Sequence, residues 1–90
     1  MRHITPARLD TIDDLLAQLR MIDGLVERKR GSFYLSSRAF LHFHEHGDEI
    51  YADIRLNGET FDRRRATTRA EQRALVTVAR RAAAARFPQS

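Results

Sequence analysis

The chain has no cysteine. That excludes a disulfide framework, thiolate metal sites and a cysteine nucleophile, and is compatible with a reducing compartment. No apolar run approaches the roughly 18 residues that a membrane span requires. The opening Met-Arg-His-Ile-Thr-Pro-Ala-Arg has no apolar stretch of the signal-peptide kind, so the expectation is a soluble, cytoplasmic protein with no membrane partner. Glycine is scarce: the four glycines stand singly at turns, and none builds a phosphate-cradling loop. Lysine is scarcer still, since Lys29 is the only one beside fifteen arginines. Such a bias follows from a GC-rich genome as readily as from a need for guanidinium chemistry. Sixteen cations against twelve anions leave a charge of +4, too modest an excess to argue by itself for a nucleic-acid partner.

What the chain has is periodicity. Ninety residues make one small domain, residues 1–90, able to bury about 60 to 70% of its unfolded surface. Leu9, Ile12, Leu15, Leu16, Leu19 and Ile22 recur at three- and four-residue steps, predicting one amphipathic helix that Gly24 ends. Thr5-Pro6 and Thr11 with Asp13 and Asp14 both read as starts for it. The period then falls to two. Strands are expected at Leu25–Lys29, Ser32–Leu35, Ala39–Glu45 and Glu49–Leu56, with Gly47-Asp48 turning the last pair. Thr68 and Glu71 form a capping box that opens a helix over residues 69–86, whose buried stripe is expected to use Leu75, Val78, Ala79, Ala82 and Ala85. Residues 1–5 and 87–90 read as tails.

The hairpin turn sets a register. With His46 opposite Glu49, the pairs Ala39–Leu56, Leu41–Ile54, Phe43–Ala52 and Glu45–Ile50 share one face. Phe40–Arg55, His42–Asp53, His44–Tyr51 and His46–Glu49 share the other. The first face is almost wholly apolar and belongs to the core; a one-residue slip would mix the two. The expected fold is α+β: an antiparallel three- or four-stranded sheet with N- and C-terminal helices on one face, in the order α-β-β-β(β)-α. Its core should include Leu15, Leu19, Ile22, Leu41, Phe43, Ile54, Leu56, Leu75 and Val78.

The second face carries the chemistry. Phe40, His42, His44, His46, Tyr51, Asp53 and Arg55 gather three imidazoles, two aromatic rings and a carboxylate on an open sheet surface. The leading reading is a non-enzymatic binding or interaction module, suited to a homodimer, with no cofactor. Imidazoles that titrate near neutrality would make such a surface responsive to pH. The alternative is a metal-dependent protein. His42 and His46 lie about 13 Å apart along an extended strand, too far to share an ion. The workable sets are therefore His42, His44 and Asp53, or His44, His46 and Glu49, each with two nitrogens and one carboxylate, a ligand set suited to zinc or iron. A His42–Asp53 dyad also suits acid–base chemistry, but Ser36 and Ser37 lie in a turn and supply no nucleophile elbow.

A third reading places nucleic acid on an arginine-rich loop and the helix after it, through Arg63, Arg64, Arg65, Arg69 and Arg73, with Arg80 on the same helical face. Phe40, Tyr51 and Tyr34 would serve as stacking rings, although no RNA-binding signature accompanies them.

The segment Arg38-x-x-x-His42-x-His44, with Asp53 beyond the turn and Gly31-Ser-Phe-Tyr-Leu35 before it, resembles the small luciferase-like domain family of bacterial hypothetical proteins. The resemblance implies an α+β arrangement and draws attention to the histidine face; it does not imply light emission. The chain departs from the family's pattern where a glycine–aromatic segment ending in histidine is expected, and has Phe61-Asp-Arg-Arg-Arg65 instead.

Overall fold

In the computed structural model, which describes residues 1–86, the elements follow the order β1 (Arg2–His3), α1 (Pro6–Asp10), α2 (Asp13–Arg20), β2 (Leu25–Lys29), β3 (Ser32–Leu35), β4 (Arg38–His46), β5 (Glu49–Ile54), β6 (Asp62–Arg65) and α3 (Arg69–Arg86). The expected tail at 87–90 lies outside the described residues.

The protein is an α+β domain. Its sheet is antiparallel throughout, in the order β2-β3-β4-β5-β6, with β1 added to β4. One core joins α1, α2 and α3 to the inner sheet face. Leu9, Leu15, Leu16, Leu19, Phe33, Leu41, Phe43, Ala52, Ile54, Leu75 and Ala79 are all buried in it. Among the described residues, no helix is long and apolar enough to cross a membrane.

Helices begin near both expected starts, with Asp13 and Asp14 in the first turn of the second, but Thr11 closes α1 and does not cap α2, whose N-cap is Ile12. Thr5 caps α1 by accepting a hydrogen bond from the Arg8 amide. The chain then breaks at Thr11–Ile12, where Thr11 hydrogen-bonds back to Arg8 and Ile12 sinks into the core with φ −119° and ψ 28°. The single expected helix is therefore two. Glu71 and Thr68 exchange the two bonds of a capping box at the start of α3. The stripe that α3 buries is Leu75, Val76, Ala79 and Ala83, rotated from the expected one; Val78 and Ala82 sit at its margin, and so does Leu56 at the sheet.

The β4–β5 register agrees with the sequence reading from Leu41–Ile54 through His46–Glu49. Two strands were not expected. The Arg2–His3 segment, read as a tail, pairs with Glu45 and His44. Beneath it the buried Glu45 carboxylate accepts bonds from the Arg2 guanidinium and from the Thr5 amide and hydroxyl, which ties the N-terminus to the sheet. Segment 62–65, read as a loop, is edge strand β6, with Arg63 opposite Asp53 and Arg65 opposite Tyr51. A run of charges shows no apolar alternation, and charge is what an exposed edge strand carries to avoid pairing with other chains.

Phe40 is the main correction on the histidine face. Phe33 pairs with Leu41 but Tyr34 with Ala39, so Phe40 has no partner on β3 and forms a bulge. The bulge puts Phe40 and Leu41 on the same side of the sheet. Phe40 is 1% exposed and belongs to the core, not to the open face.

Candidate metal centre

β4 supplies His42 and His44, two residues apart and so on one face; β5 supplies Asp53, directly opposite His42. The Asp53 Oδ2 atom lies 3.1 Å from His44 Nε2 and 3.6 Å from His42 Nε2. One ligand atom from each of the three residues falls within 4.8 Å of the others. The second set weighed from the sequence, His44, His46 and Glu49, is not brought together. Glu49 is held instead by the Tyr51 hydroxyl and by Arg65, and His46 is exposed.

Three residues that the sequence did not connect to this face complete it. Arg63 donates from Nε to Asp53 Oδ1 at 2.8 Å and from Nη2 to Oδ2 at 3.0 Å. His3 stacks on His44 with ring centroids 5.0 Å apart. Phe61 meets His42 edge-on at 5.0 Å, and the Arg55 guanidinium lies 4.4 Å from the centre of the same Phe61 ring. His42 and His44 are consequently only partly exposed; their side chains retain 28% and 14% of their surface. The position of β1 places His3 and that of β6 places Arg63. Neither short strand carries a hydrophobic pattern that would have signalled it.

The electrostatics follow from these contacts. Arg63, bonded to both oxygens, holds Asp53 below the usual carboxylate range against the desolvation that opposes it. Burial, reinforced by His44 and His3, lowers the pKa of His42 against the pull of Asp53, which favours the neutral ring. A charged carboxylate beside an unprotonated imidazole is the state in which both can donate lone pairs.

Along one edge of β4, pairing with β3 ends at Leu41 and pairing with β1 begins at His44. The gap opens a groove of about 490 Å³, lined by His3, Ile4, Leu9, Tyr34, Leu41 and His42 among others. His42 thus faces both Asp53 and an accessible, largely apolar space.

The arginines of the nucleic-acid reading do not form one free patch. Arg63 is paired with Asp53, Arg64 lies 3.9 Å from Asp62, and Arg65 bridges Glu49 and Glu71. Arg69 and Arg73 are exposed on α3. Tyr34 is half-buried beneath the Arg28 guanidinium. No family model, curated protein or solved structure matches the chain.

Proposed function

We propose that this protein binds a divalent transition-metal ion, zinc or iron(II), through His42, His44 and Asp53. The observation that carries the reading is the convergence of two imidazole nitrogens and one carboxylate oxygen from neighbouring strands within 4.8 Å. Ligands about 2.1 Å from a shared ion stand roughly 3.0 to 3.4 Å from each other in octahedral or tetrahedral geometry. The two separations from Asp53 Oδ2, 3.1 and 3.6 Å, are already close to that range. Closing the set requires the three ligand atoms, now within 4.8 Å of one another, to draw together by side-chain rotation.

Arg63 is compatible with such a centre. It is anchored on Oδ1 through its Nε atom and keeps that bond as an outer-sphere partner while Oδ2 turns to the ion, the role that hydrogen-bonded neighbours of metal ligands commonly play. Three protein ligands leave at least one coordination position open, for water or a ligand entering from the groove beside His42.

The test is metal analysis of protein purified without a histidine tag, followed by calorimetric titration with zinc and iron(II). A single tightly bound ion per chain is expected, lost in His44→Ala and retained in His46→Ala. No binding at micromolar metal, or equal loss in both variants, would refute the assignment and leave the histidine face as an interaction surface.

A further inference from the structure

Away from the three proposed ligands, three arginines from distant parts of the chain share one pocket. Arg38 opens β4, Arg55 follows β5 and Arg86 ends α3. Together with Phe40, Ser36 and Gly58 they line a pocket of about 310 Å³. We propose that this pocket binds the phosphate group of a small phosphorylated ligand, gripped by Arg38, Arg55 and Arg86.

The guanidiniums are oriented but not neutralised. Arg38 donates to the Gly58 carbonyl at 2.7 Å; Arg55 donates to those of Ala39 and Glu59, both at 2.9 Å; Arg86 donates to the carbonyl of Arg55. Among the described residues none of the three has a carboxylate within ion-pairing distance, whereas Arg2, Arg20, Arg30, Arg63, Arg64 and Arg65 all do. Carbonyl partners fix each fork in place and leave donors over, because a guanidinium carries five N–H groups. Among the described residues, the Arg86 Nε atom is buried without a hydrogen-bond partner, which is uncommon enough to call for an explanation such as a missing ligand. Burial, together with the facing charges of Arg55 and Arg38, also weakens the hold of Arg86 on its proton. An anion between the three relieves that repulsion.

The surrounding structure is shaped to this arrangement. Gly58 has φ +81°, and a Cβ there would stand 2.9 Å from Arg86 Nη1. The backbone conformation favours glycine here, and a side chain at this position would push the Arg86 guanidinium out of its present place. Arg86 lies 5.4 Å from the centre of the Phe40 ring and Arg55 4.4 Å from that of Phe61, which rigidifies both side chains. Three fixed planar donors match the oxygens of a dianionic phosphate better than the single charge of a carboxylate. The volume is at the lower end of the range for small-molecule sites, and larger than a bare ion needs, which favours a phosphate ester.

The pocket shares no residue with the proposed metal centre, so the two assignments are tested separately. Inorganic phosphate and glycerol phosphate are titrated calorimetrically into metal-free protein, with chloride and acetate as controls. Saturable binding is expected for both phosphates, the ester at least as tight, and not for the controls. Arg38→Gln and Arg86→Gln should each weaken it by about tenfold or more, since each removes a charge-assisted hydrogen bond. Arg73→Gln, on the exposed side of α3, should leave it unchanged. If Arg86→Gln fails to fold, Arg38→Gln carries the test, because its side chain is exposed and covers no core. Binding that is unsaturable, indifferent to both substitutions, or matched by acetate would overturn the proposal. Binding of single-stranded oligonucleotides without binding of glycerol phosphate would overturn it too, in favour of a nucleic-acid backbone.

Discussion

Replacing Phe40 by alanine separates two arrangements of the same strand. On an unbulged strand Phe40 would stand on the outer face beside His42, and truncation there would cost no more than about 0.5 kcal/mol. At the bulge it is 1% exposed and packed beneath the end of α3, where Arg86 covers it. Core truncations of phenylalanine cost about 3 to 5 kcal/mol, the lost transfer energy plus that of the cavity. A domain of this size has roughly 5 to 15 kcal/mol in all, and each kcal/mol moves Tm by about 4 to 8 °C. Phe40→Ala should therefore lower Tm by more than about 12 °C, and lower the urea midpoint without changing the slope. Phe61 is the control, being aromatic, 36% exposed and packed against His42 and Arg55. Phe61→Ala should cost about 1 kcal/mol, the size of an exposed aromatic or cation–π contact. Equal losses in the two variants, or a loss below about 1 kcal/mol for Phe40→Ala, would refute the bulge and return Phe40 to the open face.

Other outcomes follow from the same contacts. Zinc at a hundred times its dissociation constant should stabilise the fold by about 2.7 kcal/mol, raising Tm by roughly 10 to 20 °C in differential scanning calorimetry, with no rise in His44→Ala. Gly31→Ala should destabilise by about 1 to 3 kcal/mol in urea titrations, because φ is +82° and the new methyl would stand 2.8 Å from Leu9 Cδ2. Glu71 is held down to about 2 by the backbone amide of Thr68, and by Arg65. A depressed carboxyl contributes stability that is present above the ordinary glutamate range and lost as pH falls through about 2. Glu71→Gln, which keeps the capping acceptor, should remove that stretch of acid dependence from thermal melts; an unchanged acid limb would contradict the assignment.

The elements that could be read before folding are those with a local signal. β2 and β3 have the expected bounds, β4 and β5 the expected hairpin and register, and α3 begins at its capping box. His42, His44 and Asp53 share a face because strand alternation and one turn residue put them there. What escaped has no local signal. The two-residue strand β1 is held by its pairing with β4 and by the buried Glu45 carboxylate, which Arg2 and Thr5 satisfy. β6 is all charge, and pairs because β5 offers it a free edge with Asp53 aimed at Arg63. The bulge at Phe40 answers to the space under α3, which lies dozens of residues away in the chain.

The amino-acid order by itself determined the α+β class, the segregation of apolar from polar faces and the gathering of two histidines and an aspartate on one of them. Periodicity and turn chemistry act within a few residues and so are written along the chain. Tertiary structure alone decided what surrounds that face: the ring of His3, the fork of Arg63, the groove between β1 and β3, and the meeting of Arg38, Arg55 and Arg86. Those contacts join residues far apart in sequence. They form where long-range packing and the pairing of buried charges leave no cheaper arrangement, and nothing in the spacing of residues records such demands.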